Sequence, residues 1–173
     1  MEFYIAQGIS VVTCVLAVIT MQFKSMRGIL IGQTIVNLTS VLTYVLLGGL
    51  SGAGICFVAI LQSIVMYILN VKNIKPQLWL TAVFIALFIG CSIVYYKSPM
   101  DILSGAAAVL FAISLVQTKA SLSRFWFVCN PLLWFIYDVY EGAYVQCIIR
   151  VAVFTSTVIA IFRNDITKKQ KDR

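Results

Sequence analysis

The sequence predicts an all-α integral membrane protein with seven transmembrane helices, arranged as two parallel three-helix repeats joined by one connector helix. Three observations predict this fold class. Seven apolar stretches of near span length follow one another, Lys and Arg fall in every second connector, and the second and sixth stretches share a polar pattern. The composition, 61% hydrophobic and 11% charged, departs far from the roughly 25% charged residues of soluble domains.

Each apolar stretch is a helix candidate, because a helix of about 20 apolar residues crosses the hydrocarbon core with its backbone hydrogen bonds satisfied internally. The alternation that marks barrel strands is not visible. The first stretch is span-length and lacks a basic leader, so it is expected to be a helix and not a cleaved signal. In order, the seven stretches cover residues 3–22, 28–49, 52–71, 77–96, 101–118, 124–140 and 142–163.

The basic residues set the expected orientation. Eleven of the thirteen Lys and Arg residues lie in, or at the boundary of, the connectors after the first, third and fifth stretches or the tail after the seventh. Only Lys97 lies in a connector on the other side, and Arg150 lies inside the seventh stretch. Since cytoplasmic connectors are enriched in Lys and Arg, the amino terminus is expected outside and the carboxyl terminus in the cytoplasm.

Composition also narrows the function. The chain has no histidine, the commonest general base and metal ligand, and its six acidic residues are dispersed. Nucleophile, zinc and phosphate-loop motifs are missing as well. The sequence therefore predicts no enzyme, no metal and no cofactor. The net charge of +7 resides mostly on connectors, which favours contact with the lipid bilayer and not with nucleic acid.

The second and sixth stretches carry the same polar pattern, at positions spaced i, i+4, i+7 and i+11 on one helix face. These positions are Gln33, Asn37, Ser40 and Tyr44 in the second stretch and Trp126, Asn130, Leu133 and Tyr137 in the sixth. Helices one to three then correspond to helices five to seven, and the odd number of spans makes the repeats parallel. The expected division is 1–71 for the first repeat, 72–100 for the connector helix, 101–164 for the second repeat and 165–173 for a basic tail.

The matching faces predict a cavity between the repeats. Asn37 and Asn130 lie near mid-span, where a buried amide needs a partner. They are expected to bind a polar solute near the pseudo-two-fold axis; the alternative is hydrogen bonding between helices. Aromatic side chains would stack on a flat ring, although Trp and Tyr also collect at membrane interfaces. The candidate solute-binding residues are Asn37, Asn130, Tyr44, Trp134, Tyr137, Gln33 and Ser40.

Two further residues stand out in the second repeat. Pro131 removes a backbone donor and frees a carbonyl one turn earlier, which predicts a kink that is either a hinge or a static bend. Arg150 lies about two turns into the seventh helix, and its charge is too costly to face lipid. It is expected to pair with Asp138 or Glu141, as a gate or as a structural salt bridge between helices six and seven.

Three segments resemble the YgjV family of bacterial inner-membrane proteins. They are Ala-Gln-Gly-Ile at 6–9, Leu-Leu-Gly-Gly-Leu-Ser-Gly-Ala at 46–53, and 126–142 with its Trp-Phe-Ile-Tyr-Asp core. By its three-plus-one-plus-three plan the chain also resembles the SWEET, PQ-loop and PnuC transporters, although it lacks the Pro-Gln dipeptide of PQ-loop proteins at the centres of helices one and five. The resemblance implies an inner (plasma) membrane location, this fold and transport, and it is compatible with a homo-oligomer such as a trimer.

These features favour a transporter for a small polar metabolite such as a vitamin, nucleoside or sugar, working by facilitated diffusion with alternating access. The site would lie between helices two and six, and no mid-span carboxylate offers an obvious proton or sodium site. The alternative is a non-transporting receptor, sensor or assembly protein of the same fold, which needs a pocket but not two moving halves. A second hinge would separate the two, and the sequence shows only Pro131.

Overall fold

The computed structural model describes residues 2–46, 50–94, 96, 101–140 and 144–166. Within these residues every regular element is helical, which confirms the all-α prediction. The elements are α1 Glu2–Gln22, α2 Met26–Leu46, α3 Leu50–Val71, α4 Leu78–Val94, α5 Asp101–Val116, α6 Ala120–Phe127, α7 Asn130–Tyr140 and α8 Tyr144–Ile161, followed by a π-helical turn at Phe162–Ile166.

The outer surface of the bundle is apolar. Many large hydrophobic side chains are exposed along the outward faces of the helices, as expected of a protein whose solvent there is lipid. Four described helices are long and apolar enough to cross a membrane, and two shorter apolar helices accompany them. The four are Tyr4–Gln22, Met26–Leu46, Gly52–Val71 and Cys147–Asn164, and the two are Leu78–Val94 and Gly105–Val116.

The sixth predicted helix, 124–140, is two helices in the structure. The interruption lies where Pro131 predicts a kink, because α6 ends at Phe127 and α7 begins at Asn130. Pro131 has no N–H to donate to the carbonyl of Phe127 four residues earlier, and its ring crowds that carbonyl. Helical bonding stops at that carbonyl and resumes when the Leu133 N–H donates to the Cys129 carbonyl at 3.4 Å. The predicted kink is therefore a helix break that places Asn130 at the start of α7.

The helices pack in the same sequence in both halves of the chain. The helix α2 packs against α1 and α3, and the α6–α7 pair packs against α5 and α8. Between the halves, α1 contacts α8, α3 contacts α5, and α2 touches α6. The remaining helix, α4, lies against α3 and α5.

Close packing of α1 and α2 occurs at Gly32, as the small-xxx-small spacing of Gly28 and Gly32 predicts. A Cβ atom on Gly32 would lie 2.3 Å from the Thr20 hydroxyl oxygen, so only glycine fits at this position. At the bundle centre, Phe111 packs edge-to-face on Phe88 and on Phe127, with ring centroids 6.4 and 6.1 Å apart. These rings form one wall of the cavity described next.

Candidate solute-binding cavity

A cavity of about 130 Å³ lies at the centre of the bundle. A space of about 150 Å³ is enough for a benzene-sized ring. All eight helices contribute side chains to its lining. The helix α6 contributes only its last residue, Phe127. The predicted site residues that line it are Gln33, Asn37, Ser40, Tyr44, Asn130, Pro131, Trp134 and Arg150.

Burial of the lining changes along the bundle axis. Gln33, Asn37 and Asn130, which we call the floor, are only 3%, 9% and 6% exposed. Tyr44 and the pair Trp134 and Arg150, which we call the mouth, are half-buried. The floor lies toward the basic end of the bundle, where α1 ends and α2 begins, and the mouth toward the opposite end, where α2 ends and α3 begins. The residues of the mouth are therefore more exposed than those of the floor, although Thr43, next to Tyr44, is only 3% exposed.

The two asparagines of the floor are bonded differently. Asn37 donates its side-chain N–H to the backbone carbonyl of Gln33 on its own helix, at 2.8 Å. Asn130 reaches from α7 to the backbone carbonyl of Ala107 on α5, at 2.7 Å. Each asparagine thus uses one side-chain N–H in a bond to a backbone carbonyl, and both line the same cavity. The helix break allows the longer reach, because Asn130 is the first residue of α7.

The mouth contains a cation over an aromatic face. The guanidinium carbon of Arg150 lies 4.9 Å from the centre of the Trp134 ring, within the range of a cation–π interaction. The expected salt bridge from Arg150 to Asp138 or Glu141 stays a prediction, because Glu141 and the side chain of Asp138 lie outside the described residues. The side chain of Tyr137 also lies outside them.

The repeat pattern fails at its first position. Trp126, which corresponds to Gln33, is 38% exposed and packs edge-to-face against Phe125, with ring centroids 6.1 Å apart. It lies on α6, before the helix break, so its direction is not set by the face that α7 presents to the cavity. Ser40 lines the cavity as expected and donates its hydroxyl to the Val36 carbonyl at 2.9 Å.

Sequence reasoning missed Arg124. The side chain is 2% exposed, although its place in the sequence suggested a connector, and it donates to the Phe23 carbonyl beyond the end of α1 at 2.7 Å. A cation at the carboxyl end of a helix is favourable because the carbonyls there are unpaired.

Other polar bonds close the basic end of the cavity. Gln22 of α1 donates to the backbone carbonyl and to the hydroxyl of Ser156 on α8, at 2.9 and 2.8 Å. Ser156 in turn donates to the Val18 carbonyl at 2.8 Å. Together with Arg124, these bonds join the first half of the chain to the second beneath the floor.

Two hydroxyl residues of α1 also line the cavity and were not expected there. Ser10 donates to the Ala6 carbonyl at 2.9 Å and Thr13 to the Ile9 carbonyl at 2.8 Å. Among the described residues, no group of three His, Cys, Asp or Glu side chains is placed to hold a metal ion. The polar lining of the cavity thus consists of amides, hydroxyls and one guanidinium.

An apolar helical bundle with a buried polar cavity at its centre defines a multi-spanning membrane protein with a candidate site for a small molecule. The model of the Imp-YgjV family, described as bacterial inner membrane protein, matches residues 4–168. The chain belongs to this family and is a bacterial inner membrane protein, which confirms the resemblance to the YgjV family. Comparison with curated proteins and with solved structures gives no match.

Proposed function

We propose that the protein transports a small polar solute that binds in the central cavity, by alternating exposure of that cavity to the two sides of the membrane. The observation that supports this most is the floor: buried amides from α2 and α7 face one cavity between the two halves of the chain. Polar groups in the membrane interior are costly and mark solute pathways. Transporters built from repeats hold their substrate between the repeats, near the bilayer midplane.

The helix contacts support two parallel repeats, 1–71 and 101–164, joined by the connector 72–100. Exchanging the halves turns the α1–α8 contact into the α5–α3 contact, and the structure contains both. Exchanging the halves leaves the α2–α6 contact unchanged, because each helix takes the place of the other. Helices beside a two-fold axis have this property. The cavity would then lie on the pseudo-axis, so motion of one half against the other would open it at either end.

The proposed orientation puts the amino terminus outside and the basic end in the cytoplasm. Lys24 and Arg27, Lys72 and Lys75, and Lys119 all lie at that end. With this orientation the mouth faces the outside. A thiol tag at the carboxyl terminus should resist a membrane-impermeant reagent added to intact cells, and labelling of that tag would reverse the orientation.

Release of solute into the cytoplasm requires the bonds beneath the floor to part. The bond from Arg124 to Phe23 and that from Gln22 to Ser156 both run between the halves. The break before Asn130 gives the second half a place to bend without loss of further helical bonds. In this proposal the structure corresponds to an outward-facing form.

A binding screen tests the proposal. The purified protein in detergent is heated with each member of a metabolite library, because a compound that binds the folded state raises its melting temperature. Stabilising compounds are expected, and Asn37→Leu should abolish their effect. Thr34→Val is the matched control, since Thr34 lies on another face of α2 and bonds to the Leu30 carbonyl. Stabilisation that survives Asn37→Leu would place the binding elsewhere.

The same fold also suits a receptor or sensor, and one observation favours it: α2 is continuous over Met26–Leu46 while its counterpart in the second half is broken. Two unlike halves need not move alike. Exchange of a radiolabelled hit compound across the wall of vesicles containing the protein separates the two functions. Transport predicts exchange that excess unlabelled compound accelerates, whereas a receptor binds the compound without exchange.

A further inference from the structure

The floor holds its two asparagine side chains in a fixed orientation. Each is bonded to a backbone carbonyl, of Gln33 for Asn37 and of Ala107 for Asn130. A backbone carbonyl can only accept a hydrogen bond, so the amide nitrogen and not the oxygen must face it. Chemistry therefore decides which way both side-chain amides point.

This orientation leaves the two amide oxygens for the cavity. Both side chains are more than nine-tenths buried and line the cavity. Within the described part of the chain, neither Oδ1 atom has a hydrogen-bond partner. An amide oxygen that faces the cavity can accept a hydrogen bond from a ligand that brings an N–H or O–H group.

Hydroxyls along the whole cavity, from the floor to the level of the mouth, add to this acceptor surface. Each donates its only hydrogen to the carbonyl four residues earlier on its own helix and keeps lone pairs toward the cavity. The four are Ser10, Thr13, Ser40 and Thr43. The donors that remain are the Gln33 amide nitrogen and the second hydrogen on each asparagine nitrogen. Acceptors outnumber donors at the floor.

The mouth has the opposite polarity. Arg150 is the one charged residue among the described side chains that line the cavity, and a guanidinium has donors only. Trp134 also lines the cavity, and its indole ring adds aromatic surface for a ring-shaped solute beside the Arg150 guanidinium. Trp134 follows Asn130 by four residues, which corresponds to about 6 Å along a helix and to the length of one six-membered ring with its substituents.

We propose that the cavity selects a flat ring that carries an N–H or O–H donor on one side and a carboxylate or carbonyl on the opposite side. The donor lies at the floor against the oxygens of Asn37 and Asn130, and the acceptor lies at the mouth toward Arg150. This inference rests on the proposed function and narrows its solute to a polar ring compound bound in one orientation.

Two probes of equal shape test the orientation. The compound 4-aminobenzoate has the donor opposite its carboxylate, and 4-methylbenzoate replaces that donor with a methyl group. Calorimetric titration of the purified protein should give a dissociation constant about tenfold lower for 4-aminobenzoate, the effect of one hydrogen bond to a buried acceptor. Arg150→Gln should weaken both probes by the same factor, because the two share the carboxylate.

Asn130→Leu should remove the preference for 4-aminobenzoate, and Thr34→Val should keep it. If a variant does not fold, comparing the affinities of the two probes for the unaltered protein is sufficient to test the orientation. Equal affinity for the two probes, or no binding of either while other library compounds bind, would overturn the inference and leave the proposed function standing. Failure of every compound to bind would overturn both.

Discussion

The two ends of the helical bundle differ in how tightly their side chains pack. Beneath the floor, buried side chains and bonds between the halves seal the basic end, with Arg124 only 2% exposed. At the mouth, Tyr44, Trp134 and Arg150 are half-buried around open space. A protein that opened at both ends would leak, and one closed at both would trap its solute. In the proposed transport cycle, the basic end would be the closed gate and the mouth the open one.

The largest effect is expected at the closed end, from Arg124→Ala. The change deletes the bond to the Phe23 carbonyl and leaves a cavity where a fully buried side chain was. Loss of about 3 kcal/mol in the free energy of unfolding is expected. Denaturant titration in mixed micelles measures it.

Arg27→Ala is the control for this loss. Arg27 is exposed, and its bond to the Asn70 side chain is long, at 3.4 Å. Its removal should cost no more than about 0.5 kcal/mol, as is usual for exposed polar side chains. Equal losses from the two variants would mean that the basic end is not sealed by Arg124.

The next effect concerns the glycines at the two ends. In Gly32→Ala the added Cβ meets Thr20 across the closely packed α1–α2 interface, so a loss of about 1–3 kcal/mol is expected. In Gly52→Ala the Cβ would lie 2.8 Å from the Tyr44 ring, which can turn toward the cavity. That variant should lose less stability in thermal melts and more ligand affinity in the calorimetric titration.

Gly90→Ala controls for the helix propensity of alanine, because no atom lies within 4 Å of the added Cβ. It should be neutral or stabilising by up to about 1 kcal/mol. If Gly32→Ala behaved in the same way, α1 and α2 would be free to separate at the basic end.

A smaller effect is expected at the mouth. Trp134→Leu removes the ring beneath the Arg150 guanidinium, at an expected cost of about 0.5–2 kcal/mol in stability, and Trp134→Phe should retain part of the interaction. Trp79→Leu, on an exposed tryptophan at the start of α4, is the control and should change the melting temperature little. A Trp134→Leu protein that melts like the control would show that the mouth is not organised by this pair.

The last prediction concerns the accessibility of thiols from the mouth and not the stability of the protein. In variants that keep a single cysteine, a small membrane-impermeant thiol reagent added from the outside should modify Cys56, which lines the cavity. It should not modify Cys147, which is 8% exposed and does not line the cavity. Modification of Cys56 only from the cytoplasmic side of inverted vesicles would exchange the open and closed ends.

Local features of the chain were sufficient to predict much of this fold. Span positions follow from hydrophobic length, and all seven predicted stretches contain helix in the described residues. The face through Gln33, Asn37 and Tyr44 follows from the 3.6-residue period, and all three line the cavity. Whether the paired asparagines bind a solute stays a prediction.

Tertiary structure decided the features that depend on distant partners. Arg124 is buried because it meets the end of α1, and Asn130 crosses to Ala107 because the break turns the start of α7 toward α5. Trp126, matched to Gln33 by spacing, lies outward for the same reason. Hydrophobic length and helical period are properties of neighbouring residues and can be read along one segment. Burial and bonding across the bundle depend on which helices meet, and the sequence does not state this locally.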